Sequence, residues 1–119
     1  MSAVIRCQVV RSADVELSQE SPRKGALTED LFERNAEIDR LQSKEARCGL
    51  WTCGAGLFTS TKSGSSEISV ILEGTGTIQD PDGQSHEFTA GDLIVVPDGW
   101  SGTWHVAAPV KKWYVSVAT

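Results

Sequence analysis

Basic charge and long apolar runs are both scarce in this sequence of 119 residues. Its 11 lysines and arginines face 16 aspartates and glutamates, giving a net charge of −5, so no basic surface is available to replace the counterions of a nucleic acid. No run approaches the roughly 18 apolar residues of a membrane-spanning helix, and Arg6 and Gln8 interrupt the short apolar stretch near the N-terminus. We therefore expect a protein that binds neither nucleic acid nor membrane.

Histidine and cysteine, the usual ligands of transition metals, are also sparse. The two histidines, His86 and His105, are isolated, and we interpret both as structural, although His86 could border a cavity. Three cysteines form no disulfide framework, which favours reduced thiols and a cytoplasmic location. Cys48 and Cys53 lie an odd number of positions apart, so an unbroken strand points them to opposite faces and excludes a shared zinc site.

The chain changes in composition near residue 48. All four tryptophans and all but one of the glycines come after that point, whereas charged residues are concentrated before it. A chain of this length suits one structural domain. We divide it into an N-terminal arm, residues 1–47, that packs on a barrel, residues 48–119.

The arm is predicted to contain one strand, one loop and one short helical segment. Its apolar, β-branched residues favour a strand at Val4–Val10. Proline and the lack of periodicity favour a loop at Ser18–Gly25. A helical turn is predicted at Thr28–Arg34, because Thr28 is a good N-cap and the acidic residues that follow suit the positive end of a helix.

The barrel is predicted to be all-β and antiparallel, because short β-rich segments alternate with turn signals about every ten residues. Two turns, Asp80–Gly83 and Val96–Gly99, share a Pro-Asp-Gly sequence typical of type I turns. No helix of useful length interrupts the strands, which excludes parallel crossovers. The predicted strands are Arg47–Cys53, Gly56–Thr61, Glu67–Glu73, Thr75–Gln79, Ser85–Thr89, Asp92–Val96, Thr103–Val106 and Lys111–Val117.

Two segments, Glu67–Gly74 and Gly91–Gly99, resemble the paired signature motifs of the cupins. The resemblance covers about residues 48–118 and implies a jelly-roll β-barrel of the RmlC-like type. Further matches resemble the subgroup that contains ethanolamine-utilisation and ureidoglycine-aminohydrolase-like cupins; they are Trp51, Leu72-Glu73-Gly74, Gly91-Asp92, Trp104 and Lys112-x-Tyr114.

The resemblance fails at the metal ligands. The paired histidines of the first motif would fall on Ser60 and Lys62, or on Thr61 and Ser63, and the later histidine on Gly102. A catalytic metal needs about three converging donor side chains. We therefore predict that the chain binds no metal and needs no cofactor.

Glu67 is the leading candidate for a functional residue, because a carboxylate inside a barrel needs a cation to stay charged. The resemblance implies that Lys112 and Tyr114 face the same cavity. We interpret Glu67, Lys112 and Tyr114 as catalytic candidates and Trp51 and Trp104 as ligand-binding candidates. A Glu–Lys pair that only fixes the barrel lining, and tryptophans that only fill the core, remain alternatives.

Three classes of function stay open at this point. The first is a metal-independent enzyme that uses Glu67 or Tyr114 as general acid or base on a small polar or ionic metabolite held in the barrel mouth. The second is a non-catalytic module that binds or senses such a molecule, and the third is a metal-dependent enzyme with atypical ligands. An open jelly roll exposes strand edges that Val4–Val10 could cover or exchange with, so we also predict a homodimer.

Overall fold

The computed structural model describes residues 4–38 and 43–119 and consists almost entirely of β-strands. The strands are β1 (Ser21–Pro22), β2 (Phe32–Glu37), β3 (Ala46–Cys53), β4 (Gly56–Thr61), β5 (Ser65–Gln79), β6 (Ser85–Phe88), β7 (Leu93–Val96) and β8 (Ser101–Ala118). The helical structure found in these residues is a three-residue 3-10 turn, Ser12–Asp14. Within the described ranges, then, no helix has the length and hydrophobicity that crossing a membrane requires.

Two long strands, β5 and β8, organise the barrel. The first part of β5 pairs with β7 and its last part with β6, whereas β8 begins beside β4 and ends beside β3. The two also pair with each other along nearly their whole length. The resulting antiparallel order is β1-β2-β3-β8-β5-β6, with β4 joined to β8 and β7 joined to β5. Sharing two long strands closes both layers around one core, which is the expected jelly roll.

A bulge near Gly74 bends β5 from one layer into the other. The register with β8 shifts at three points between Ile71 and Gly76. Gly74 has a φ of 101°, and a Cβ there would lie 2.8 Å from the Val110 Cα. Glycine is therefore required both by the backbone conformation and by the close approach of β8. This bulge joins two predicted strands, Glu67–Glu73 and Thr75–Gln79, into one.

The core is aromatic at its centre. The rings of Phe58 and Trp104 stack with centroids 5.7 Å apart, and Trp51 meets Trp104 edge-on at 6.3 Å. Phe88, on β6 in the same layer as Trp104, packs against the Trp104 ring at 5.5 Å. Aliphatic side chains surround this group, namely Leu31, Ile71, Ile78, Val106 and Val110, together with the Cys53 thiol. Trp51 and Trp104 thus belong to the core that holds the two layers together.

The helical turn predicted at Thr28–Arg34 is wrong. Phe32–Glu37 forms strand β2 instead, which pairs antiparallel with β3. The Thr28 hydroxyl accepts a hydrogen bond from the Leu57 N–H at 3.1 Å and caps no helix, and Leu31 is buried in the core. The free edge of β3 offers this segment a full ladder of backbone hydrogen bonds, and these bonds outweigh the local capping preference.

Other predictions for the arm also need correction. Val4–Val10 has no strand assigned to it, and the short helical element lies at Ser12–Asp14. The predicted loop Ser18–Gly25 contains β1, which pairs with β2. In the barrel, the predicted strands match closely, except that Thr103–Val106 and Lys111–Val117 are parts of the single strand β8.

Candidate functional site

A buried carboxylate at one end of the barrel is held by two lysines. Glu67 lies on β5, and Lys112 lies on the adjacent part of β8. The Lys112 Nζ donates to Glu67 Oε2 at 2.9 Å, while Lys62, just beyond the end of β4, donates to Oε1 at 3.3 Å. The sequence predicted the first partner and missed the second, because Lys62 stands at a position where the family resemblance implied a metal ligand.

The Lys112 ammonium is clasped by two indole rings. Its Nζ lies 4.7 Å from the centroid of Trp51 and 4.8 Å from that of Trp104. Both distances are within the range of a cation–π interaction, which is strongest for tryptophan and for a desolvated cation. Trp51 is the register partner of Lys112 on β3, so the backbone itself places the ring beside the amine. The two predicted ligand-binding tryptophans therefore contact Lys112 directly.

The pKa values of Glu67 and Lys112 are each set by burial and by the opposite charge of the partner, which act in opposing directions. Burial by itself raises the pKa of the Glu67 carboxyl, but the attraction and hydrogen bond of Lys112, and then those of Lys62, outweigh burial and hold that pKa below its usual range. Burial lowers the pKa of Lys112, and the attraction of Glu67 offsets only part of that effect. At neutral pH Glu67 is a carboxylate shared by two ammonium groups, which makes it a weak base.

A second ion pair approaches the same space from the arm. The Arg23 Nη1 donates to both carboxylate oxygens of Glu33 at 3.2 Å, and Glu33 also accepts from the Trp51 Nε1 at 2.9 Å. The Arg23 guanidinium lies 4.5 Å from the centroid of Phe58. The sequence contains no signal for these two charged residues, because the pairing of β1 with β2 is what brings them to the barrel. Directly after β1, the Arg23 N–H donates to the Leu31 carbonyl at 2.9 Å and continues that pairing.

Arg23, Lys62, Lys112 and Glu67 line a small cavity, here called the mouth cavity, with a volume of about 80 Å³. The lining carries three positive charges and the one negative charge of Glu67. Glu33 does not line the cavity but pairs with Arg23, and with its charge included one positive charge is still in excess. The Arg23 Nε is buried and has no hydrogen-bond partner among the described residues. The lining is completed by Trp51, Phe58, Ser60, Val96 and Trp104.

Tyr114, the third catalytic candidate, lies outside the residues that line the mouth cavity. Its hydroxyl donates to the Asn35 Oδ1 on β2 at 2.9 Å. The ring occupies the space above Gly49, where a Cβ would lie 2.7 Å from the Tyr114 Cζ. Burial raises the pKa of Tyr114, so the hydroxyl stays protonated at neutral pH. Lys112 and Tyr114 were expected to face the same cavity, but Lys112 lines the mouth cavity and Tyr114 does not.

The mouth cavity does not suit a divalent metal. Glu67 is already engaged by two ammonium groups, and Ser60 and Gly102, which are register partners, supply no imidazole. A side chain at Gly102 would overlap the ring of Trp100. In residues 4–38 and 43–119 no group of three His, Cys, Asp or Glu side chains is arranged to hold a metal ion. The donor set therefore does not fit the metal that the cupin resemblance implies.

None of the histidines and cysteines lines the mouth cavity. The His86 Nε2 is 2.7 Å from the Asp80 Oδ2 near the opposite end of β5, and His105 is exposed on β8. Cys53 is buried, and burial raises the pKa of its thiol to about 11, which makes it unreactive. Cys48 is half-buried and contacts the Ile38 carbonyl.

The chain matches a known family in sequence and solved structures in fold. Residues 41–114 match the family model described as the EutQ-like cupin domain, which is more than half of the chain. No curated protein matches the sequence. The family match agrees with the resemblance carried by Glu67–Gly74 and Gly91–Gly99.

Solved structures of related fold cover nearly the whole chain. The Clostridium difficile EutQ protein is similar with a TM-score of 0.76 and 22% identity, over 93% of this chain and 80% of that one. A putative ethanolamine utilization protein Q from Salmonella typhimurium gives 0.71 and 21%, over 92% and 85%. A predicted oxalate decarboxylase from Thermotoga maritima gives 0.70 and 18%, over 94% and 100%. At these identities the likeness shows the fold alone.

Proposed function

This chain belongs to the EutQ-like cupin family, and we propose that it binds a small polar metabolite through an anionic group placed in the mouth cavity. The excess of one positive charge among Arg23, Lys62, Lys112, Glu67 and Glu33 is the observation that carries the proposal. An anion would balance that charge in a partly buried site, where electrostatic attraction is stronger than in bulk solvent. The Arg23 Nε supplies a buried donor that still needs an acceptor.

The size of the cavity limits what enters it. A volume of about 80 Å³ corresponds to two or three water molecules at liquid density, each taking about 30 Å³. A carboxylate or a small oxyanion fits this space, and the rest of a larger metabolite would extend outside the barrel. Trp51 and Trp104 serve the site by fixing the Lys112 ammonium between their rings.

An acid–base enzyme is the second candidate, and the buried amine of Lys112 is the observation that favours it. A lysine whose pKa is lowered by burial exchanges its proton nearer to neutral pH than an exposed lysine does. The proposed proton exchange involves Glu67 and Lys112, because the Tyr114 hydroxyl is bound to Asn35 outside the cavity. Binding ranks above catalysis because Glu67, the expected base, has a lowered pKa.

Calorimetric titration with formate, malonate and inorganic phosphate tests anion binding. We expect at least one of them to bind, and we expect Arg23→Met and Lys62→Met to weaken that binding at least tenfold, because each removes a lining cation. Lys24→Met is the matched control, since Lys24 is an exposed neighbour of Arg23 that does not line the cavity. Equal affinities in all three variants, or no binding of any probe, would overturn the proposal.

A molecule that co-purifies with the chain would separate the two candidates. Native mass spectrometry identifies such a molecule, which is then incubated with the wild type and with Glu67→Gln. Chemical conversion by the wild type that is lost in Glu67→Gln, with binding retained, selects the enzyme. A molecule that is bound and recovered unchanged selects the binding module.

Partner and location are also part of the proposal. Five large apolar side chains are exposed on the outward side of β5, β7 and β8, and we call this surface the outer face; they are Ile68, Val70, Leu93, Val95 and Val117. Contiguous apolar surface of this kind typically marks a protein interface, and it supports a homodimer. The three free thiols support a cytoplasmic location.

A further inference from the structure

The amine of Lys112 is buried and yet borders a cavity. The residue is only 6% exposed, and it lines the mouth cavity. Among the described residues its Nζ has one hydrogen-bond acceptor, the Glu67 Oε2 at 2.9 Å. The other groups packed around the amine are the rings of Trp51 and Trp104. The amine is therefore fixed in one position beside a cavity, and bulk water has little access to it.

A buried amine of this kind is a nucleophile once it loses its proton. Burial lowers the pKa of Lys112, and the attraction of Glu67 offsets only part of that effect. The positive charges of Lys62 and Arg23 lower the same pKa further. Lysines that are desolvated or placed beside other cations form imines with carbonyl compounds, because a larger fraction of the amine is uncharged at neutral pH. The surroundings of Lys112 therefore suit attack on a carbonyl carbon.

The other cations of the site indicate what else the carbonyl compound carries. Arg23 and Lys112 contact the same indole, since the Arg23 Cζ lies 5.8 Å and the Lys112 Nζ 4.7 Å from the centroid of Trp51. Lys62 and Lys112 donate to the two oxygens of one carboxylate, that of Glu67. The Arg23 Nε is buried and has no acceptor among the described residues. A carboxylate bound by Arg23 and Lys62 would therefore lie next to the amine.

The size of the mouth cavity limits the distance between the carboxylate and the carbonyl. A cavity of about 80 Å³ has room for about three groups the size of a water molecule, each taking about 30 Å³. A carboxylate bonded directly to a carbonyl carbon meets this limit, whereas a longer spacer exceeds it. Compounds with these two groups on adjacent carbon atoms are the 2-oxo acids, and any further part of such a ligand would extend outside the barrel.

We propose that the Lys112 amine forms an imine with a small 2-oxo acid whose carboxylate is bound by Arg23 and Lys62. This inference rests on the proposed anion site and adds a covalent step to it. The carboxylate positions the ligand, and the amine attacks the adjacent carbonyl carbon. Binding the two groups at once places the reacting atoms together, which is the condition for a fast reaction between two molecules.

The protons of this step move between Lys112 and Glu67, which are already hydrogen-bonded. Glu67 takes one proton from the ammonium, Nζ forms a C–N bond with the carbonyl carbon, and Glu67 passes the proton to the oxygen, which gives a carbinolamine. A second proton moves from nitrogen to oxygen in the same way, the C–O bond breaks, and water leaves. The product is an iminium ion with the same charge as the ammonium, so Glu67 and the two indole rings stabilise it in the same way.

Reductive trapping with pyruvate and sodium cyanoborohydride tests the proposal in the wild-type chain. Hydride converts the iminium ion to a stable secondary amine, which peptide mass spectrometry assigns to one lysine. We expect one adduct per chain, on Lys112, formed at least about tenfold faster than on Lys111. Lys111 is the internal control, because it is the next residue in the sequence, is more exposed and does not line the mouth cavity.

Two further compounds and three variants separate the parts of the site. Acetone carries the carbonyl without the carboxylate and should form at least about tenfold less adduct than pyruvate. Lactate carries the carboxylate without the carbonyl, so it should form no adduct and should suppress trapping by pyruvate. Lys112→Arg should abolish the adduct and Lys111→Arg should leave it unchanged. Arg23→Met should slow trapping about tenfold, because it removes a cation that binds the carboxylate.

The outcomes separate this inference from the proposed anion site. An adduct on Lys112 of the wild type that lactate suppresses supports the imine. Calorimetric binding of pyruvate and lactate without an adduct on Lys112 would overturn the imine and leave the anion site standing. Adducts confined to Lys62, spread evenly over the lysines, or formed as fast with acetone as with pyruvate would also overturn the imine. If no adduct forms and none of the anions binds, both proposals are wrong.

Discussion

The two sides of the first half of β5 differ in a way that reverses the usual arrangement of a barrel. Glu67 and Ser69 point inward and are buried, whereas Ile68 and Val70 point outward and are 45% and 39% exposed. A strand that served only to build a core would place its apolar residues inside. The inward side therefore supports the proposed polar site, and the outward side supports the proposed contact with a second copy.

The inward side of β5 depends on the balance of charge among buried ion pairs. Substitutions there should therefore change the free energy of unfolding more than substitutions on the outward side. Glu67 has two lysine partners, Lys112 and Lys62, whereas in the described part of the chain Lys112 is paired only with Glu67. Removing one member of a buried ion pair leaves the other charge desolvated. The outward side carries no charge, so changes there should leave the free energy of unfolding nearly unchanged.

The largest expected effect is that of Glu67→Gln, which leaves the Lys112 charge without a carboxylate. We expect the free energy of unfolding to fall by about 3 kcal/mol, and by less for Lys112→Met, because Lys62 still neutralises Glu67. The double variant should recover part of the loss, and denaturant unfolding measures all three. Strictly additive losses would show that the two residues do not act as a pair.

An acid-dependent loss of stability is the next effect. The pKa of Glu67 is lower in the folded chain than its ordinary value of 4.5, so its contribution to stability is present above pH 4.5 and is lost as the pH falls below it. The wild type should therefore lose more stability between neutral pH and pH 3 than Glu67→Gln does. Denaturant unfolding across this range measures the difference, and parallel pH profiles for the two proteins would contradict the prediction.

A smaller effect of opposite sign is expected at Ser69. Its hydroxyl is buried and has no hydrogen-bond partner among the described residues. Ser69→Ala removes this unsatisfied group and should raise the free energy of unfolding by about 1 kcal/mol. Thermal and denaturant unfolding check the sign. A clear loss of stability would mean that the hydroxyl has a partner that the protein atoms alone do not provide.

The smallest effect on unfolding is expected on the outer face. Ile68→Lys should change the free energy of unfolding of the monomer by less than about 0.5 kcal/mol, because the side chain is already half exposed. The dimer dissociation constant should nevertheless rise at least tenfold, since two lysines would meet across a symmetric interface. Ser63→Lys is the matched control. Unchanged dimerisation of Ile68→Lys would remove the outer face from the interface.

The sequence was sufficient to predict most strands of the barrel, because the signals that define them are local. Alternation and the two Pro-Asp-Gly turns predicted the strands, and the cupin resemblance, now confirmed by the family match, predicted how they assemble. The bulge at Gly74 joined two predicted strands into one, since a bend and a break give the same sequence signal. In the arm, the pairing of β2 with β3 overrode the local signal that favoured a helix at Thr28–Arg34.

The site was predictable only in part. Parity and family resemblance indicated that Glu67 and Lys112 share the barrel interior, and the two side chains do contact each other. Lys62 and Arg23 could not be predicted, because each reaches the mouth cavity from a different turn of the chain. The Tyr114 hydroxyl bonds instead to Asn35 on β2, a strand that the sequence did not predict.

The ring of Trp100 against Gly102 also restricts how this chain could evolve or be engineered. Any side chain at position 102 would enter space that the indole already fills. A histidine introduced there alone would disrupt the fold before it could contribute a ligand. A smaller residue at position 100 would give up the indole hydrogen bond to Asp80 and would still leave the Gln79 backbone carbonyl in the space that a Cβ at position 102 needs. Side-chain substitution at position 100 therefore does not open this route, and a metal-dependent descendant of this barrel would need a shift of the backbone between β5 and β8 as well.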